Sequence, residues 1–292
     1  MKVLVLGGSR FFGKRLVEKA ISAGHEVTVL SRLQSGDIPK GVEAIKADRT
    51  DLDSIQAAAS HREWDVVYDQ ICFNSREAAI ADEVFRNKVG RYVFTSSMSV
   101  FPKGPARHED TFDPQAHPIK MGNDFDYAEG KRQAEAYLFQ RSSLPALSVR
   151  IPFVVGMDDY TRRVHFHIER TMKGLPIYFP VPKARVCLIQ SEEAADFLLW
   201  AGTQIDETGL VNAAADGLIA LNEMMDCIGD LTGKLPVLAK EKEADNHSPY
   251  GVPSDIFMIT DKAKTLGYQF TDSNDWFPKL LKQIHAELLK VA

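Results

Sequence analysis

The sequence predicts an α/β fold in which a parallel sheet is covered on both faces by helices. Three observations carry that expectation. Short apolar runs alternate with amphipathic helical stretches through the first half of the chain. The runs are nearly continuous rather than alternating, as strands buried on both faces require. A glycine-rich loop, Gly7-Gly8-Ser9-Arg10-Phe11-Phe12-Gly13, lies between the first run and the first helical stretch.

Taken in order, KVLVL at 2–6 is a buried strand, and GKRLVEKAISA at 13–23 is an amphipathic helix stopped by Gly24. EVTVL at 26–30 and residues 43–47 supply a second and a third strand. DLDSIQAAAS at 51–60 opens a helix with an acid suited to the positive end of its dipole. WDVVYDQI at 64–71 and RYVFTSS at 91–97 are further strands, with a helix, REAAIADEVFRNK, between them. This is a doubly wound, Rossmann-type arrangement. From about 156 arginines, histidines and prolines crowd the chain and the pattern becomes harder to type. Helices are expected at 192–202, at 222–234 and in two closing stretches. The reading is a dinucleotide-binding domain over 1–156, rejoined by segments near 185–220, with a smaller mixed C-terminal substrate region over 157–292.

The 292 residues are 45% hydrophobic and 26% charged, with net charge −5, as in a globular protein with a substantial core. No basic stripe offsets phosphate charge, which argues against a nucleic-acid partner. Three widely spaced cysteines without a CxxC pair read as reduced thiols. His165 and His167, read as leading into a helix, diverge at i, i+2, so no metal is expected. Neither a signal peptide nor a run of about 20 apolar residues is present, so no membrane contact and a cytoplasmic location are expected.

The glycine loop has the strand before it and helix after it that a dinucleotide fingerprint needs. Its glycines let the backbone approach a pyrophosphate, whose charge meets the helix N-terminus. NAD-selective folds place an acid at the end of the second strand; here Ser31-Arg32 stands there. Serine and arginine suit a 2′-phosphate, and Arg10 in the loop adds a second guanidinium, so the expected cofactor is NADP, with NAD as the alternative.

After the last strand of the first half comes Thr95-Ser96-Ser97, and thirty residues on, YAEGK puts Tyr127 and Lys131 on one face of a helix. An ammonium beside a tyrosine stabilises its phenolate form, and a serine hydroxyl can hydrogen-bond the reacting oxygen. With the glycine loop ahead of them in this order, the chain resembles an extended short-chain dehydrogenase/reductase of the NAD(P)-dependent epimerase/dehydratase family. The resemblance rests on GGSRFFG (7–13), ADRTD (47–51), FTSSMSVF (94–101), YAEGK (127–131), VRIPFVVG (149–156), RVCLIQSEEAA (185–195) and DKAKTLGY (261–268).

The resemblance implies that Tyr127 is the proton donor and acceptor, Lys131 its partner and a ligand of the nicotinamide ribose, and Ser97 the ligand of the substrate oxygen. It implies that Asp48 meets the adenine amine and that Arg49, Gln70, Thr95, Ser96 and Pro152 contribute to the cofactor site. Arg150-Ile151-Pro152 falls where the family has an Arg-Pro segment beneath the nicotinamide, and Arg185 where it has an arginine for a substrate diphosphate. Relatives pair as homodimers through the helix carrying the tyrosine, where the apolar side of AEAYLF at 134–139 could serve.

Three departures qualify the picture. Arg10 replaces a glycine, and coincides with the arginine that NADP-dependent single-domain relatives carry. Tyr68-Asp69-Gln70-Ile71 replaces the small residues that leave room for the cofactor. Ser97 is followed by Met98-Ser99 rather than the Asp-Glu pair of dehydratases, which disfavours 4,6-dehydration. The GG-x-RF-x-G loop marks a divergent subgroup that includes RNA-associated plant members. The leading expectation is an epimerase or reductase acting on a nucleotide-linked sugar or related carbonyl or polyol. The alternative is a catalytically weak NADP(H) sensor, or a protein that binds RNA or another partner on the same fold.

Overall fold

The computed structural model describes residues 1–34, 36–59 and 61–291. Its centre is a seven-stranded, wholly parallel sheet. In chain order these strands are β1 (Lys2–Leu6), β2 (Glu26–Ser31), β3 (Glu43–Lys46), β4 (Trp64–Asp69), β5 (Val89–Ser97) and β6 (Ala146–Ile151). After short strands β7 (Phe153–Val155), β8 (Ile177–Tyr178), β9 (Arg185–Val186) and β10 (Leu188–Gln190), the chain returns with β11 (Gly209–Asn212). The order across the sheet is β11-β6-β5-β4-β1-β2-β3. The strand order reverses between β1 and β4, which opens a crevice at their carboxyl ends.

Helices α1 (Phe11–Ser22), α2 (Leu52–Ala59), α3 (Ser75–Phe85), α4 (Tyr127–Gln140) and α6 (Ser191–Thr203) cover the two faces. The alternation within β1 shows the division of labour. Val3 and Val5 pack with Leu16 and Val17 of α1 and Phe197 and Leu198 of α6. Leu4 and Leu6 pack on the other face, with Ile55 of α2, Ala81 and Phe85 of α3, and Leu138 of α4. Successive strand side chains point to opposite faces, so a strand with helices on both sides is apolar throughout.

α3 and α4 start where a side chain meets a free amide. Asn74 accepts from Glu77 N–H at 2.9 Å and Asp126 from Glu129 N–H at 2.8 Å. The segment before α4 lies along that helix: Gln140 Nε2 donates to the carbonyls of Pro114 (2.6 Å) and His117 (2.7 Å). Ala134, Ala136 and Leu138 of α4 are buried.

The C-terminal region has its own core. Val164 and Ile168 of α5 (Arg163–Lys173) meet Leu221, Met225 and Ile228 of α7 (Leu221–Thr232) and Trp276, Leu280 and Ile284 of α9 (Ser273–Val291). α5 contains the helix expected just after the two histidines and starts before them, at Arg163. Both histidines of its HxH pair are inside it and buried: His167 meets Ser248 Oγ at 2.8 Å, while His165 Nε2 lies 3.9 Å from Glu287. Two short strands, β12 (Ile219–Ala220) and β13 (Leu238–Ala239), pair with β9 and β8, and α8 (Asp261–Thr265) precedes α9. Among the described residues no helix is long and apolar enough to cross a membrane.

Candidate active site

A cavity of about 500 Å³ opens at the β1/β4 crevice. Most of the residues expected at a cofactor line it: Gly7, Ser9, Arg10, Phe11, Phe12 and Gly13 of the loop, Ser31 at the end of β2 and Arg32 after it, Asp48 and Arg49 after β3, and Gln70 after β4. Gly8 faces inward instead, where a Cβ would lie 2.6 Å from Val17. Gly7 has φ +93°, and a Cβ there would lie 2.6 Å from Ile71. A Cβ on Gly13 would lie 2.7 Å from both the Gly7 carbonyl oxygen and Gln70 Oε1. These glycines are therefore needed for the strand, loop and helix to meet.

Arg10 is the N-cap residue of α1 and makes no side-chain cap bond, so the helix presents its first amides to the cavity. Gln70 is buried on the cavity wall with its Nε2 unpartnered among the described residues. An uncapped helix start, an unpartnered amide donor and two arginines fit the phosphate-bearing, adenosine half of a dinucleotide. At that end Asp48 accepts from Thr50 N–H (2.9 Å) and Thr50 Oγ1 (2.7 Å), and these bonds hold its carboxyl below the usual range.

The wall beneath the cavity is ionic. Arg49 is buried, its guanidinium paired with Asp69 and donating to the Glu77 carbonyl at 2.8 Å. Asp69 also accepts from Tyr92 Oη at 2.6 Å and from Ile71 N–H at 3.1 Å. Asp69 thus supports the turn after β4 from below, and the Arg49 guanidinium is committed to it. Cys72 lies in the same layer, its thiol pushed up to about 12 by burial.

At the far end of the cavity stands Phe73, 43% exposed. Its ring centroid is 6.2 Å from that of Tyr127 and 4.7 Å from Lys131 Nζ. Lys131 is buried and donates to the carbonyls of Cys72 (2.7 Å) and Thr95 (2.8 Å), with its Nζ 6.0 Å from the Tyr127 ring centroid. Tyr127, at the first turn of α4, is 55% exposed. Ser97 ends β5 with its Oγ accepting from Ser99 N–H at 3.2 Å. Arg132 of α4 donates to the Val100 carbonyl at 2.7 Å, which ties the turn after Ser97 to the helix of Tyr127 and Lys131.

Other expected residues stand apart from this cleft. Thr95 and Ser96 are buried with hydroxyls unpartnered among the described residues, and Pro152 is buried between β6 and β7. Arg150 points into the interior, where Glu135 accepts from its Nη2 at 2.6 Å and its Nε at 3.0 Å. That pairing commits the guanidinium to the interior: a fully buried guanidinium goes to the available carboxylate. Arg185 is exposed and its fork is engaged by Asp255, at 2.9 Å from Nε and 2.7 Å from Nη2.

A family model described as the NAD dependent epimerase/dehydratase family matches residues 3–214, most of the chain. The chain belongs to that family. Among curated relatives, the chloroplast stem-loop binding protein of 41 kDa b from Arabidopsis thaliana is 28% identical over 214 residues, 67% of this chain and 52% of that protein. The 2′-dehydrokanamycin reductase of Streptomyces kanamyceticus is 34% identical over 107 residues, 36% of this chain and 30% of the reductase. The chain therefore spans about half the length of the plant protein and less of the reductase. Solved structures of UDP-glucose 4-epimerases show the same fold. That from Thermus thermophilus, complexed with NAD, has TM-score 0.76 at 21% identity with both chains fully covered. That from Thermotoga maritima, with UDP-glucose, has TM-score 0.77 at 19% identity, covering 100% of this chain and 99% of that one.

Cavity residues that the sequence pattern does not single out include Phe73, Glu77 and Tyr160. Phe73 is two residues past Ile71 and carried a signal, an aromatic just beyond a strand end in a polar-flanked turn. Tyr160 carried none, because it reaches the loop from about 150 residues away.

Proposed function

We propose that this protein is an NADP-dependent carbonyl reductase or epimerase of small polyhydroxylated substrates. The observation that carries the reading is a single continuous wall: Arg10, Ser31 and Arg32 at one end of the cavity, and Phe73 beside Lys131 and Tyr127 at the other. A bound nicotinamide dinucleotide supplies the oxidation and reduction of an alcohol–carbonyl pair. Within that reading the two guanidiniums hold the 2′-phosphate, with charge-assisted bonds contributing about 1.5–3 kcal/mol each. Gln70 Nε2 and the first amides of α1 receive pyrophosphate oxygens. Tyr127 Oη gives or takes the proton on the substrate oxygen, Ser97 Oγ hydrogen-bonds that oxygen, and Lys131 holds the helix of Tyr127 against the turn after β4. Reduction is supported by the Streptomyces relative, named a reductase, and epimerisation by the sugar epimerases that share the fold.

The test is to titrate NADPH and NADH by fluorescence and then to follow oxidation of the tighter one with keto-sugars, aminoglycoside ketones and nucleotide sugars. Tighter NADPH binding and turnover lost in Tyr127→Phe are expected. Tighter NADH binding, or full turnover in that variant, defeats the assignment. A second reading, an NADP(H)-binding protein of weak activity, is favoured by one feature: Lys131 already gives two of its N–H bonds to backbone carbonyls. Tight NADPH binding with neither reduction of any carbonyl nor epimerisation of any nucleotide sugar would select it.

A further inference from the structure

We propose that Tyr160 is a specificity-determining residue: it holds the Arg10 guanidinium at the adenosine end of the cavity, so that the site prefers a ribose 2′-phosphate. The proposal rests on the NADP reading above. Tyr160 belongs to the turn after β7, yet it lines the cavity of the glycine loop. Tyr160 is 63% exposed. The guanidinium carbon of Arg10 stands 5.7 Å from the ring centroid, and the Phe11 ring meets it edge-on at 6.0 Å. On the other side, a Cβ on Gly36 would lie 2.8 Å from Arg10 Cγ, so the stem of Arg10 is pressed against the segment that follows Arg32. Arg10 therefore runs between two walls drawn from distant parts of the chain.

The turn that carries Tyr160 is held on both sides of the ring. Asp158 accepts from Arg15 Nε of α1 at 2.7 Å and from Ser191 Oγ of α6 at 2.7 Å. Asp159 Oδ1 accepts from Thr161 N–H at 2.9 Å. Phe11 itself has φ +51°, a strained value for a residue with a side chain, and the Tyr160 contact lies on that strained position. A guanidinium is attracted to the face of an aromatic ring. Confinement before binding also reduces the side-chain entropy lost when the fork meets a phosphate. The uncharged 2′-hydroxyl of NAD gains little from a guanidinium, so loss of the ring should act on NADP selectively.

The experiment measures dissociation constants of NADP, NAD, adenosine 2′-monophosphate and adenosine 5′-monophosphate for wild type, Tyr160→Phe, Tyr160→Ala, Arg10→Ala and the Arg10→Ala/Tyr160→Ala double variant. Tyr160→Ala should weaken NADP and the 2′-monophosphate about fivefold, with less than about twofold change for NAD and the 5′-monophosphate. Tyr160→Phe should match wild type, because the ring face remains. In the Arg10→Ala background, removing Tyr160 should add nothing. Equal weakening of NADP and NAD makes Tyr160 a general cover and overturns the proposal, as does an undiminished effect without Arg10. A wild type that prefers NADP while Tyr160→Ala binds it unchanged overturns this inference alone. A wild type that binds NAD as tightly as NADP defeats the NADP reading itself, and the role of Tyr160 with it.

Discussion

The Lys131 ammonium donates to the carbonyl oxygen of Cys72 at 2.7 Å, which ties the helix of Tyr127 to the turn after β4. A second bond to the Thr95 carbonyl at 2.8 Å ties it to β5. Lys131 therefore has a structural duty whatever its part in chemistry. Lys131→Met removes both of these buried bonds, and a buried acceptor left unpaired costs about 1–3 kcal/mol, so it should lower the melting temperature as well as any turnover. Tyr127→Phe should leave the melting temperature within about 1–2 °C while turnover falls about 10²-fold, because an exposed hydroxyl contributes little to the fold. Thermal melts of the two variants beside their rates check this; equal destabilisation by both would refute it.

Arg150 and Glu135 form a buried pair joined by Ser148 Oγ, which donates to Glu135 at 2.7 Å. Removing one partner strands the other charge, at a cost of about 3–5 kcal/mol. Arg150→Met should thus destabilise by that amount in urea unfolding, and Glu135→Leu added to it should restore much of the loss. Were Arg150 instead a cofactor ligand, the single variant would keep its stability and lose dinucleotide affinity.

The parallel sheet was legible because β1, β2, β4 and β5 are buried on both faces and so keep no polar alternation. The sequence pattern does not mark β6 or β11 as strands. β6 holds Ser148 and Arg150, whose polarity hides a strand that is wholly buried only because Glu135 meets both. The glycine loop and Arg32 were legible from local order alone. Arg49 was not: its role depends on Asp69, twenty residues away and in another strand, and a sequence reading sees only two opposite charges. Tyr160 reaches the cavity through tertiary packing that no local period encodes.

Gly13 should tolerate no side chain. A Cβ would sit 2.7 Å from the Gly7 carbonyl oxygen, which is backbone and cannot rotate away as Gln70 can. Gly13→Ala should shift the start of α1 and weaken dinucleotide binding by about tenfold or more, since amide donors work only when aimed. Isothermal titration of NADP against the folded variant checks it, and wild-type affinity would contradict it.

His167 supplies a pH dependence outside the cleft. Its ring lies parallel to that of Tyr250, with centroids 5.3 Å apart, and is fully buried. Nδ1 faces the Arg163 carbonyl at 2.8 Å, which can only accept, so Nδ1 carries the proton and Nε2 accepts from Ser248 Oγ at 2.8 Å. Burial disfavours the charged ring and pushes its pKa down from 6.5 to about 4, the Arg163 carbonyl opposing the shift. The folded protein thus holds His167 neutral where the unfolded chain would take a proton. Its contribution is fully present above about pH 6.5, is lost progressively as the pH falls towards 4, and changes no further below that. The span corresponds to about 3 kcal/mol. His167→Gln, which can still donate and accept, should flatten the loss of stability between pH 6.5 and 4 in urea melts. Parallel losses in wild type and variant across that window would place the dependence elsewhere.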